Sequence, residues 1–185
     1  MPLTRGHGDA GTRGMFKNII LTGFMGVGKT SVGTRLAKDL GFTFIDTDSL
    51  IEADQKISIT EIFSSFGEPY FRDVETRIIG QVLENENQVV STGGGAVIRE
   101  ENRAAFKEKG MTVCLMARPE VIYDRIKHET HRPLLQVAEP LAKIRELLAT
   151  REPFYRQADI IIDTSDKTVD GVIAEIRGKV RYACC

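Results

Sequence analysis

Residues Gly23 to Thr30 run Gly-Phe-Met-Gly-Val-Gly-Lys-Thr and contain every fixed position of the pattern G-x-x-x-x-G-K-[ST]. That spacing suits the cradling of nucleotide phosphates: glycines let successive backbone N–H groups wrap around phosphate oxygens, the lysine adds positive charge at the β- and γ-phosphates, and the hydroxyl beside it can ligate Mg2+. The candidate nucleotide contacts are Gly26, Val27, Gly28, Lys29, Thr30 and Ser31, with Thr30 as a Mg2+ ligand. A helix opening here, expected over Ser31 to Leu40, also turns its positive end toward the anion. The glycine order does not fit the dinucleotide fingerprint G-x-G-x-x-G.

Two carboxylates follow in Asp46-Thr47-Asp48, at the end of a second apolar run. Strand geometry of period two places both on one face near the phosphate loop, where one can hold Mg2+ and the other can orient or deprotonate an acceptor hydroxyl. The competing structural reading makes Asp48 the N-cap of a helix that begins Ser49-Leu50-Ile51-Glu52. Ser91-Thr92-Gly93-Gly94-Gly95 closes a third run. Three glycines in succession allow a backbone to approach a ligand closely and offer unshielded N–H groups, against the simpler reading of a tight turn. No aspartate ends this run, where many phosphate-loop NTPases carry a metal-associated acid, so Asp46 takes that role with Ser91 and Thr92 assisting through water. Arg72, Arg132 and Arg151 each read singly as solvated surface residues; only convergence on one site raises them.

The elements that must position these groups are legible as apolar runs at Asn18–Thr22, Phe42–Asp46, Gln88–Thr92, Thr112–Met116 and Asp159–Asp163, with helical patterns between most of them. This alternation indicates a parallel sheet covered on both faces. Ser58-Ile59-Thr60-Glu61 is a capping-box pattern, and Pro69 is placed to open a further helix running to about Glu84. Residues 47–85 thus insert more helix than a minimal crossover needs, which suits a second-substrate lobe beyond the carboxyl ends of the strands. The polar stretch from Lys127 to Pro140, containing Arg132, is expected to be a lid, with helical pattern resuming after Pro140.

A chain of 185 residues is enough for one well-buried α/β domain, expected over residues 15–183 after a disordered leader at 1–14. A formal net charge of −1 with 28% charged residues points to neither nucleic acid nor a membrane surface, and no apolar stretch is long enough to span a bilayer. Cys114 lies in an apolar run and Cys184 and Cys185 are adjacent, so the cysteines fit a reducing compartment, the cytoplasm, and not a disulfide framework or a metal site. His128 and His131 read as solvated loop residues.

In combination, the phosphate loop, Asp46-Thr47-Asp48, Phe71-Arg72 with Glu75, Gly93-Gly94-Gly95, Arg132-Pro133-Leu134-Leu135 and Arg151 with Tyr155 give a chain that resembles the shikimate kinases over residues 16–181. The resemblance implies a nucleoside-monophosphate-kinase-like phosphate-loop fold, a three-layer α/β/α sandwich around a five-stranded parallel sheet. It implies an enzyme that uses ATP and Mg2+ to phosphorylate the 3-hydroxyl of shikimate on the route to chorismate, and the protein is expected to be a monomer. Carried over by position, Lys29 contacts the phosphates, Thr30 and Asp46 serve Mg2+, and Asp48 contacts the accepting hydroxyl. Arg72, Gly94 and Arg151, with Gly93 and Gly95 beside them, bind shikimate; Arg132 is the lid arginine that completes the catalytic set with Lys29 and Asp48. Arg125 stacks beside adenine, whose loop falls near Thr164 to Thr168. The chemistry agrees, because a planar guanidinium holds a carboxylate by paired hydrogen bonds and phosphoryl transfer needs positioning and charge neutralisation above all. Two other readings are a kinase for a different polyol acid such as gluconate, and a nucleotide-holding switch without an acceptor. The triple glycine and the two arginines together favour shikimate.

Overall fold

The computed structural model describes residues 17–128 and 137–182. The leader, the centre of the expected lid with His131 and Arg132, and Cys184 and Cys185 lie outside the described residues. Strands β1 (Asn18–Thr22), β2 (Thr43–Asp46), β3 (Gln88–Ser91), β4 (Met111–Met116) and β5 (Ile160–Asp163) form one parallel sheet in the order β2-β3-β1-β4-β5. These are the five expected runs, each with its ends within one residue of expectation. Ile19, Ile20, Leu21, Val89, Val90, Val113 and Leu115 are buried, as central strands covered on both faces require.

The helices are α1 (Lys29–Leu40), α2 (Thr47–Gln55), α3 (Ile59–Leu83), α4 (Glu100–Lys109), α5 (Pro119–Ile126), α6 (Pro140–Tyr155) and α7 (Val169–Tyr182). Right-handed crossovers place α1 and α4 on opposite faces, since β1 leads toward one edge and β3 toward the other. Accordingly α1 packs against α7, and α4 against α3. Among the described residues no helix is long and apolar enough to cross a membrane.

Adjacent strands whose connections leave in opposite directions open a crevice at their carboxyl ends. Here those strands are β1 and β3, and they deliver the phosphate loop and the triple glycine to the same place. The inserted lobe is α2 and α3. Ser58 starts α3 with a complete capping box, its Oγ accepting from Glu61 N at 3.2 Å while Glu61 Oε2 accepts from Ser58 N at 2.9 Å. Helix α3 is broken at Gly67 (φ 81°, ψ 170°), two residues before Pro69, so the proline opens a second segment as its position in the sequence suggested.

The opposite end of the sheet is fastened by buried Asn18. Its amide donates to Asn85 O (2.9 Å) and Lys109 O (3.3 Å), and its Oδ1 accepts from Gln88 N (3.1 Å), joining β1 to the approaches of β3 and β4. Asn18→Ala should therefore cost about 2 kcal/mol, because the buried Gln88 N–H loses its acceptor and Lys109 O loses a donor, while Asn85 O keeps the one from Gln88 Nε2. Urea unfolding should show this as a lower midpoint with an unchanged slope; a loss of only about 0.5 kcal/mol, the size of a surface change, would show the anchor to be dispensable.

Candidate active site

The phosphate loop begins where β1 ends. Gly28 is the N-cap of α1 at φ 100°, a left-handed conformation that disfavours a side chain, and it offers no side-chain acceptor to the first turn. No acidic residue stands in that turn either. The helix end therefore keeps its positive potential for an external anion. Because Gly28 itself supplies the cap, α1 starts at Lys29, two residues before the expected start. Lys29 Nζ folds back to donate to Gly23 O (2.8 Å) and Phe24 O (2.9 Å). Thr30 and Ser31 are exposed along the cleft.

Behind the loop, Thr164 Oγ1 donates to Val27 O (3.0 Å), and Arg125 donates to Gly26 O (3.2 Å), Thr164 Oγ1 (3.1 Å) and Thr164 O (2.8 Å). The turn after β5 and the end of α5 thus brace the loop from the side away from β3. Cys114 lies next to it, paired in register with Thr22. Burial pushes the Cys114 thiol up to about 11, against smaller opposing effects of Thr22 and the Lys29 charge.

The aspartates depart from expectation. Strand β2 ends at Asp46, which is itself the N-cap of α2, its Oδ1 accepting from Asp48 N (3.1 Å) and Ser49 N (3.3 Å). Asp48 therefore sits in the first turn of a helix, and the expected shared strand face does not exist; neither is Asp48 the cap. The short polar side chain of Asp46 at φ −109°, ψ 116° closes the strand and caps the helix at once. Both aspartates still line the cleft, and Asp46 pairs in register with Ser91. Thr92 Oγ1 donates to Leu21 O (3.2 Å), tying the end of β3 to β1.

Across the cleft lies a buried cluster of charge. Glu75, with no exposed surface, accepts at Oε2 from Arg72 Nη1 (2.7 Å), while Glu68 Oε1 accepts from Arg72 Nε (3.2 Å) and Nη2 (3.0 Å). Arg72 is 12% exposed in its side chain and Arg151 is 7% exposed, so neither is the solvated surface residue it resembles singly. The guanidinium of Arg72 lies 5.1 Å from the Phe71 ring centre and that of Arg151 lies 5.6 Å from that of Phe24. Burial pushes the Glu75 carboxyl up and the nearby Asp48 adds to this, more than the Arg72 and Arg151 guanidinia offset. Burial alone would lower Arg72, but Glu75 and Glu68 hold it above its ordinary value and charged.

The triple glycine is what lets this cluster close. A Cβ on Gly93 would lie 2.6 Å from Glu75 Oε1 and 2.9 Å from Asp48 Oδ1, and one on Gly95 would run into the Arg72 guanidinium. A tight turn alone would not require this. Gly94 O accepts a 2.6 Å hydrogen bond from the hydroxyl of Tyr155. The structure therefore brings Lys29, Thr30, Asp46, Asp48, Arg72, Gly93, Gly94, Gly95, Arg125 and Arg151 to one cleft of about 1400 Å3. Glu75 and Tyr155 were given no role by the sequence, and Thr164 stood only as the start of the expected adenine loop, not as a brace of the phosphate loop. Glu75 lies three residues from Arg72 and Tyr155 four from Arg151, so helical spacing was the signal available for the first two.

Among the described residues no group of three or more His, Cys, Asp or Glu could hold a metal ion. Mg2+ keeps several waters and takes one or two carboxylates beside phosphate oxygens, and Thr30 with Asp46 matches that sparse donor set.

A parallel sheet with a phosphate loop and an acceptor-side charge cluster at its switch point defines a phosphate-loop small-molecule kinase. The shikimate kinase family model matches residues 25–181. The shikimate kinase of Thermodesulfovibrio yellowstonii is 49% identical over 160 residues, which cover 86% of this chain and 92% of that one. The structure of the shikimate kinase of Acinetobacter baumannii in complex with shikimate superposes with a TM-score of 0.87 at 37% identity, covering 91% of this chain and 94% of that one. A gluconokinase structure from Sinorhizobium meliloti, at 19% identity and a TM-score of 0.59 over 93% of this chain and 95% of that one, shares the fold alone. The chain belongs to the shikimate kinase family.

The Cys114 environment is directly testable. With a thiol near 11, about one molecule in a thousand carries the thiolate at pH 8, so iodoacetamide should leave Cys114 unmodified in the native protein and alkylate it after denaturation. Peptide mapping that finds equal labelling in both states would overturn this burial.

Proposed function

We propose that the chain transfers the γ-phosphoryl group of ATP to the 3-hydroxyl of shikimate, giving shikimate 3-phosphate and ADP. The observation that carries this reading is the two buried guanidinia of Arg72 and Arg151 gathered beside Asp48 in the cleft that also holds the phosphate loop. A carboxylate with several hydroxyls matches that lining: Arg72 and Arg151 hold the carboxylate, and Gly94 and Asp48, with Gly93 and Gly95, face the hydroxyls. Family membership supports the same acceptor over gluconate, since the gluconokinase likeness concerns the fold alone.

In the reaction, Asp48 accepts the proton of the attacking hydroxyl as its oxygen bonds to the γ-phosphorus and the bond to the β-phosphate oxygen breaks. Lys29 swings from the carbonyls of Gly23 and Phe24 onto the phosphates, and the N–H groups of Gly26 to Ser31 hold the β-phosphate. Thr30 and Asp46 hold Mg2+, which supplies charge neutralisation at the phosphate oxygens when bound. Arg125, anchored on Gly26 and Thr164, borders adenine. Arg132, outside the described residues, is proposed as the lid arginine that reaches the transferring phosphoryl group. Helices α2 and α3 serve as the acceptor lobe of a single kinase domain, which we expect to act as a monomer in the cytoplasm.

With Mg·ATP, shikimate should elicit ADP release, whereas quinate, gluconate and AMP should elicit little; release independent of any acceptor would favour a nucleotide switch instead. Asp48→Asn should lower kcat by about a hundredfold or more while the KM for ATP stays within about twofold, because the amide can hydrogen-bond the acceptor but cannot take its proton. Unchanged kcat with weakened ATP use would move Asp48 to the metal.

A further inference from the structure

Tyr155 occupies the last turn of α6, four residues after Arg151 and on the same helical face. It is 1% exposed, and its ring alone would satisfy the core. Its hydroxyl does more: it donates 2.6 Å to Gly94 O. The same hydroxyl lies beside the Arg151 guanidinium, which pulls the phenol down while burial pushes it up further. A peptide group is planar, so fixing the carbonyl of Gly94 fixes the plane that continues into Gly95. Gly95 is the residue against which the Arg72 guanidinium packs so closely that a Cβ would collide with it. One hydroxyl thus connects Arg151 on α6, through the Gly94–Gly95 peptide, to Arg72 on α3.

We propose that Tyr155 is a positioning residue that sets the spacing between the Arg72 and Arg151 guanidinia, and so the fit of the substrate carboxylate; this rests on the shikimate reading above. Helices α6 and α3 are not neighbours in sequence, and α6 meets the loop through the short 3-10 turn Ala96–Ile98 that follows the glycines. Gly93 O and Gly95 O accept from the backbone of Ala96 (3.1 Å) and Ile98 (3.0 Å), so without the hydroxyl it is the Gly94 carbonyl that loses its tie to α6, in a loop with no side chains of its own to hold that peptide plane.

The test is Tyr155→Phe, which removes one oxygen and keeps the ring, assayed with Mg·ATP and shikimate. The KM for shikimate should rise about tenfold, the effect of one lost net hydrogen bond, while the KM for ATP stays within about twofold. A spacing matters only when both arginines are present, so in an Arg151→Ala background the same change should alter the KM for shikimate by less than about twofold. A lower melting temperature with unchanged KM for shikimate would reduce Tyr155 to a core residue, and an equal effect in both backgrounds would sever it from Arg151. Failure of the unmutated protein to use shikimate would sink the functional reading itself and this inference with it; normal use with a silent Tyr155→Phe would sink the inference alone.

Discussion

A carboxylate shut away from water, Glu75, governs how the acceptor side of the cleft is built. A buried charge persists only when paired and hydrogen-bonded, and removing its partner typically costs about 3–5 kcal/mol. Arg72 is that partner, at 2.7 Å. The pair then dictates its surroundings: Gly93 must lack a side chain to make room for Glu75 and Asp48, and Gly95 must lack one to make room for Arg72. The break at Gly67 belongs to the same arrangement, because it reorients α3 just before Glu68 and Arg72. A sequence with an alanine at Gly95 would have to displace a guanidinium, not merely crowd a methyl group.

The nucleotide side follows the opposite logic. There the helix end is left uncapped by any side chain, a choice that costs a few tenths of a kcal/mol relative to serine or asparagine but leaves N–H groups available to an anion. Rigidity comes from behind, where Thr164 and Arg125 hold the carbonyls of Val27 and Gly26. Donors stay open on one side of the loop because acceptors are engaged on the other.

Legibility in the sequence divides along the same physical lines. The central strands β1, β3 and β4, buried on both faces, announce themselves as apolar runs, and the edge strands β2 and β5 keep short apolar runs at matching intervals, so all five and their parallel class were readable, as were the Ser58 cap and the segment opening near Pro69. Asp48 was misplaced because alternation along a strand and capping of a helix begin from the same residues, and only the backbone shows that Asp46 does both jobs. Arg151 looked like surface because burial of an arginine depends on partners far away in sequence. Glu75 and Tyr155 were quoted beside their arginines but given no role, since what they do depends on a loop reached from a different strand. Arg132, expected from the sequence to be a lid arginine, lies outside the described residues.

What remains is how the two sides come to face each other. Strand order answers it: β1 and β3 are neighbours, with Leu21 opposite Ser91, so the loops that follow them leave the sheet side by side. Thr92 reinforces this by bonding to Leu21 O through both its amide (3.1 Å) and its hydroxyl (3.2 Å). A Cβ on Gly94 would lie 3.5 Å from Gly23 O and Met25 N, so a single side-chain carbon there would already reach the first residues of the phosphate loop. In-line phosphoryl transfer requires donor and acceptor to be held within a few tenths of an ångström of a fixed geometry. Two loops that leave adjacent strands of one sheet side by side meet that demand without relying on the precise docking of separate domains.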